Sequence, residues 1–178
     1  WARSLLNLVY DFIAEETKHS FGRIPFHIPQ FRFIDSALAM EPHDSGTRGR
    51  RWKNVFLIEE VIRGDEEGPF RKYLNNVSPV PLPMSCKEDD ERATFLSFSQ
   101  HVQYWKTKKQ AFVSDYQGKL FNTNRFNSAT TRFLGPIFAD GNIASIHRNF
   151  EQEHECNYFC IWFNVPTDYN TSEYGVNL

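Results

Sequence analysis

Two short runs carry residue types that could do chemistry. Near the C-terminal end, His154, Cys156 and Cys160 stand as H-x-C-x3-C, three soft or borderline metal ligands within seven positions. Upstream, Asp115-Tyr116-Gln117-Gly118 sets a carboxylate and a side-chain amide oxygen at the end of the apolar, strand-like Ala111-Phe112-Val113. Thiolates and imidazoles suit tetrahedral zinc. Carboxylate and amide oxygens suit a harder cation such as the magnesium that accompanies nucleotide phosphates. Together the runs point to a phosphotransfer site in a fold held shut by zinc.

A structural zinc needs four ligands. Cys156 and Cys160, at i and i+4, are expected on one helical face, with His154 reaching the same point where that helix starts or frays. A fourth ligand must come from elsewhere, and His101, on the inner edge of a helix predicted over 89–106, is the best placed. The spacing is not among the most diagnostic for zinc. It leaves a second reading equally open, in which both cysteines belong to the core and His154 to the surface. His19 and His147 read as surface or internally satisfied histidines, and Cys86 as an inert residue in a loop.

The elements that must position these residues follow from periodicity. Leu5, Leu6, Leu8, Val9, Phe12 and Ile13 recur at helical spacing over residues 3–19, and the helix ends around Gly22 and Pro25. Phe31, Phe33 and Ile34 predict a strand running toward Leu38, and 41–51 reads as loop. Val55-Phe56-Leu57-Ile58 predicts a buried strand, and Asp65 to Gly68 an acidic turn. After a proline-containing loop over 77–91, the 89–106 helix sets Phe95, Phe98, Val102 and Trp105 on one stripe. A further helix, starting near Asp140 with Ile143, Ile146 and Phe150 inward, carries the chain to His154. The order of elements is α+β rather than a regular βαβ alternation.

A length of 178 residues fits one domain, or two small lobes sharing a cleft. The aromatic fraction of 16%, with 17 Phe, predicts a core built on large rings. A net charge of −2 argues against a dedicated nucleic-acid binder, since no basic excess exists to replace counterions. The basic cluster Arg48, Arg50, Arg51 and Lys53 stands beside Gly46 and Gly49 and reads as a solvated loop. No apolar run approaches the ~18–20 residues of a membrane span. Three cysteines, two of them in one short run, favour metal ligation in a reducing, cytoplasmic setting over a disulfide framework. With no signal-peptide pattern and Trp1 rather than Met at its head, the chain is expected to be a fragment or excised domain.

Six segments in order resemble the alpha-kinase family of atypical serine/threonine protein kinases. They are Phe56 to Ile62, Phe70 to Asn76, Ser99-Gln100-His101, Asp115 to Gly118, Asp140-Gly141-Asn142, and His154-x-Cys156-Asn157-x-x-Cys160. The resemblance implies an α+β, two-lobed atypical-kinase fold with ATP in the cleft. Residues 1–62 would be the remainder of the N-lobe with the hinge, and 63–178 a C-lobe with the zinc module. It places His101, His154, Cys156 and Cys160 in the family's zinc-ligand positions. Glu60 and Ile62 would lie in a hinge that holds adenine through backbone groups. Asp115 would be the catalytic carboxylate, Gln117 a ligand on the Mg²⁺ side, and Gly141 and Asn142 a loop facing phosphate or substrate. Arg71 and Lys72 would be cations beside the cleft, a role weighed against an ordinary solvated basic pair. The implied partners are a nucleotide and a protein substrate, with neither nucleic acid nor membrane.

The chain departs from the family pattern in three places. Where the family carries Leu-Thr-Asp-Pro after the D-x-Q-G run, Leu120 to Arg125 offers Asn122 or Thr123 in place of the aspartate. Neither supplies the negative charge that holds Mg²⁺ well. The glycine loop has Ala139 at its first glycine, a mild change. The lysine that grips the phosphates lies in the family on a strand ahead of the first helix, and this sequence opens within that helix. Two functions are therefore expected: a protein serine/threonine kinase, or a zinc-stabilised pseudokinase acting as a binding module.

Overall fold

The computed structural model describes residues 1–19, 22–42, 52–61, 69–119, 125–126, 130–131 and 144–167. The predicted first helix is present as α1 (Ala2–His19), with Leu5, Leu6, Val9, Phe12 and Ile13 buried along one stripe. Tyr10 on α1 donates to the Pro29 carbonyl at 3.0 Å and accepts from the Phe31 amide at 2.6 Å, which fixes the chain entering β1 (Arg32–Phe33). The strand expected to run on to Leu38 breaks at Ile34-Asp35. A separate strand β2 (Ser36–Pro42) then pairs antiparallel with β3 (Trp52–Glu59).

The β2–β3 hairpin overturns one expectation. Val55, Phe56, Leu57 and Ile58 are 55–63% exposed rather than buried. The register sets Leu38 opposite Leu57 and Met40 opposite Val55 on one face, and Ala37 opposite Ile58 and Ala39 opposite Phe56 on the other. A two-stranded ribbon buries a face only if another layer lies on it, and none does so among the described residues.

The centre of the fold is α2 (Lys87–Lys106), which packs against α1, β5 and α4. Its predicted stripe is only part of what it buries. Phe95, Phe98 and Val102 are fully covered, but so are Ser99, Gln100, His101 and Gln103 on other faces. The helix reverses through Lys108 and Lys109, both left-handed at φ 52° and 65°, into β5 (Ala111–Phe112). Thr107 closes that reversal with two hydrogen bonds to the Ala111 backbone, at 2.8 and 3.0 Å.

A small sheet runs in the order β1-β7-β6-β4, with β4 (Arg71–Lys72), β6 (Gln117–Lys119) and β7 (Arg125–Phe126). β1 and β7 are parallel and the other pairs antiparallel, while β5 pairs separately with β8 (Thr130–Thr131). The helix expected from Asp140 is described as α3 (Ala144–Glu153), with Ile146 and Phe150 buried. It is followed by α4 (Tyr158–Trp162). No helix among the described residues is long and apolar enough to cross a membrane.

The main core is aromatic, as the composition implies. Phe98 has its ring centre 5.4–6.5 Å from those of Phe12, Phe95, Phe159 and Phe163, joining α1, α2 and the C-terminal segment. A second cluster of Tyr104, Phe112, Ile146 and Phe150 joins α2, β5 and α3. Phe98→Ala is expected to destabilise the chain by about 3–5 kcal/mol in urea unfolding. Leu57→Ser, on the bare hairpin, should stay within about 0.5 kcal/mol of wild type.

Candidate active site and metal centre

On β4, successive side chains alternate between the two faces of the sheet, and this separates Arg71 from Lys72. Arg71 turns to Asp89 on α2, its Nε 2.8 Å from Oδ2. Asp89 is 5% exposed and also takes Arg92 Nη1 at 2.9 Å and the Tyr73 hydroxyl at 3.3 Å. A buried carboxylate with three donors is fully satisfied and fastens β4 to the first turns of α2. The Arg71 guanidinium thus serves the α2 junction.

Lys72 faces the other way and forms an ion pair with Asp115. In the β4–β6 register Lys72 stands directly opposite Gln117, so the two side chains share a face. Lys72, Asp115 and Gln117 are thereby brought together, all three at least partly open to solvent. Neither basic residue is merely solvated.

Asp115 sits in the left-handed region at φ 57°, which few residues other than glycine adopt without local support. That support comes from both sides. Its N–H donates to the Asn75 carbonyl at 3.2 Å, and the next carbonyl, of Tyr116, accepts from Tyr73 N–H at 2.8 Å and Leu74 N–H at 3.3 Å. The Asn75 side chain in turn accepts from the amides of Val77 and Ser78.

Glu60 follows β3 directly, and its carboxylate is held in a fork by Arg32, with both N···O distances 2.8 Å. It also accepts from the Asp35 amide at 3.2 Å, while Glu60 N–H donates to the Asp35 carbonyl at 2.8 Å. The side chain thus braces the segment after β3 against β1, a role with no signal in the sequence. Ile62, Gly141 and Asn142, and the altered run with Asn122 and Thr123, lie outside the described residues.

The second cluster gathers His101, His154, Cys156 and Cys160, whose ligating atoms all lie within 4.8 Å of one another. His101 Nδ1 is 3.6 Å from Cys156 Sγ, and His154 Nε2 is 3.8 Å from Cys160 Sγ. A tetrahedron with ordinary Zn–S and Zn–N bonds has S···N edges of about 3.5 Å. The chemistry fits as well as the spacing. His101 Nε2 lies 3.1 Å from the Pro166 carbonyl, which selects the tautomer with its proton on Nε2 and leaves Nδ1 as the ligating atom.

Burial pulls His101 down to about 4, against a smaller opposing effect of the Pro166 carbonyl. Burial, then the neighbouring His101, takes His154 to about 3. Both imidazoles are neutral near pH 7, as ligands must be. Burial pushes the Cys160 thiol up to about 12, and Cys156 is raised by the same cause. A cation entering here must displace thiol protons, so binding it releases protons. An open depression of about 450 Å³, lined by Cys156, Cys160, Ile161 and Pro166 among others, gives access from solvent.

The two cysteines do not share a helical face. α3 ends at Glu153, and Cys156 lies in the extended link before α4. Asn157 causes the break, because its Oδ1 accepts from the amides of Phe159 and Cys160 and starts a new helix. Its Nδ2 also donates to the Thr94 carbonyl at 2.9 Å, tying the ligand-bearing link to α2. An asparagine just before an aromatic run is an N-cap signal that the spacing of the cysteines masked. His147 stands outside this cluster and is buried rather than on the surface: it is 5% exposed and packs 4.5 Å from the Phe112 ring.

The alpha-kinase family model matches residues 7–160. The chain belongs to the alpha-kinase family. Among solved structures, the alpha-kinase domain of myosin-II heavy chain kinase A, determined in complex with adenosine, matches with a TM-score of 0.54 at 18% identity. The match covers 94% of this chain and 56% of that one, so this alpha-kinase chain spans little more than half of the solved domain's length. At that identity the likeness bears on fold alone. No curated protein matches the sequence.

Asn157→Ala removes the α4 cap and the strut to Thr94 together. It is expected to lower stability by about 1–2 kcal/mol in denaturant unfolding.

Proposed function

We propose that this chain is the catalytic part of an ATP-dependent protein serine/threonine kinase, with nucleotide held between residues 1–62 and 63–178. The observation that carries the reading is the meeting of Lys72, Asp115 and Gln117 on one face of the β4–β6 junction, in a chain of the alpha-kinase family. Adenosine in the related kinase domain supports a nucleotide as the small-molecule partner. The segment following Glu60 would meet the adenine through backbone groups.

The chemistry asked of these residues is positioning and charge placement rather than covalent catalysis. The acceptor hydroxyl oxygen forms a bond to the γ-phosphorus, the bond to the bridging oxygen breaks, and ADP leaves. Asp115 orients that hydroxyl and receives its proton. Lys72, across from Gln117 in the register, holds the Asp115 carboxylate in place. Gln117 is the residue that would stand on the Mg²⁺ side, and the ion, when bound, neutralises phosphate charge.

A second reading rests on a specific feature of the sequence. Asn122 and Thr123 stand where the family has its second aspartate, and this favours a pseudokinase that keeps the fold as a binding module. Transfer of labelled phosphate from Mg-ATP to the chain itself and to a generic basic protein separates the two. For a kinase, Asp115→Ala lowers incorporation by about 100-fold or more. Absence of incorporation by the folded, metal-loaded chain would leave the pseudokinase.

In both readings the His101, His154, Cys156 and Cys160 cluster holds one structural zinc. Elemental analysis of the purified chain is expected to give one zinc per molecule, and none in Cys160→Ser. Stripping it with a chelator should lower the melting temperature by about 10 °C or more, as expected when a tightly bound ligand is withdrawn from a domain of this size.

A further inference from the structure

Val113 is fully buried and lies one residue beyond the last rung of the β5–β8 ladder, where Phe112 pairs with Thr130. Both of its backbone polar groups are met by side chains of α2. Gln100 Nε2 donates to the Val113 carbonyl at 2.8 Å, and Val113 N–H donates to Gln103 Oε1 at 2.7 Å. Gln103 Nε2 then reaches past the turn and donates to the Tyr116 hydroxyl at 3.3 Å. One amide therefore grips the chain on both sides of Asp115, two residues before it and one after. Gln100 and Gln103 are fully buried and stand three apart, on one side of α2.

The turn they grip holds one of the chain's left-handed residues. Aspartate tolerates the left-handed region better than most residues, but it still costs energy that its surroundings must offset, and the backbone bond from Asp115 itself is long, at 3.2 Å. We propose that Gln103, assisted by Gln100, is a positioning residue for Asp115: its side-chain amide sets the turn over residues 113–116 at a fixed distance from α2. The consequence for turnover rests on the kinase reading above; the structural part does not.

The test uses two variants of the full chain. Gln103→Met keeps the volume and removes both polar contacts. Gln103→Glu is near-isosteric and keeps an acceptor for the Val113 amide. Residue-resolved amide exchange and steady-state phosphotransfer are measured well below each variant's melting temperature. In Gln103→Met, exchange at Val113 and Asp115 is expected to rise about tenfold with α1 unchanged. Its kcat should fall about 10- to 100-fold while KM for ATP moves less than about threefold. Gln103→Glu restores both to within about threefold of wild type.

Exchange that stays at the wild-type rate, or that rises evenly over the whole chain, overturns the proposal. So does a loss of kcat that merely tracks the unfolded fraction. If the wild-type chain transfers no phosphate, the kinase reading fails by itself, and the clamp is judged on exchange. A local rise reversed by Gln103→Glu then supports it, and no rise overturns it. Should Gln103→Met not fold, Gln100→Met, which removes only the donor to the Val113 carbonyl, takes its place under the same criteria.

Discussion

A helix buried on nearly all sides can carry polar residues only if each finds a partner within the protein. That condition shapes α2, and the partners it recruits include both candidate sites. Asp89 draws in Arg71 from β4 and Tyr73 just beyond it. His101 turns toward His154, Cys156 and Cys160, and Gln100 and Gln103 take hold of Val113. β4, the C-terminal link and the Asp115 turn are thus registered against one rod. An apolar α2 would pack as densely and would specify none of these positions.

The order of contacts along α2 also separates two kinds of chemistry. Its first turn fastens β4, so that Lys72 projects on the face opposite Arg71 and meets Asp115. Its second half serves the cysteine and histidine cluster on one side and the Asp115 turn on another. The ion pair at the candidate active site is partly open to water and contributes little stability. The ligand cluster is mostly buried, with neutral imidazoles and raised thiols. One site is suited to exchange its partners and the other to retain a cation.

Much of this was legible in the sequence, for identifiable reasons. α1 and α2 have enough turns for periodicity to show, and Phe98 with Val102 marks the core stripe directly. His154, Cys156 and Cys160 stood out as a short run of ligand types, whereas His101, one of six histidines, was singled out by reach and by the family resemblance. Arg71 and Lys72 looked alike in sequence and have opposite duties, since a two-residue strand is too short to reveal its alternation. The Arg32–Glu60 fork and the Asp89 network join residues far apart in the chain, with no local pattern to announce them. The buried strand expected at Val55 to Ile58 failed differently. β-branched and aromatic residues do favour a strand, but composition says nothing about whether a second layer covers it.

That uncovered ribbon has a bearing on how the polypeptide behaves as material. β2 and β3 join residues close in sequence, so they can pair early, before the distant contacts around α2 have closed. They then offer apolar side chains on both faces and, among the described residues, an unpaired backbone edge on each strand. Such an edge is a template for other chains as much as for its own. Among the described residues, Leu38, Met40 and Val55 to Ile58 gather exposed apolar side chains on this one ribbon, apart from α2.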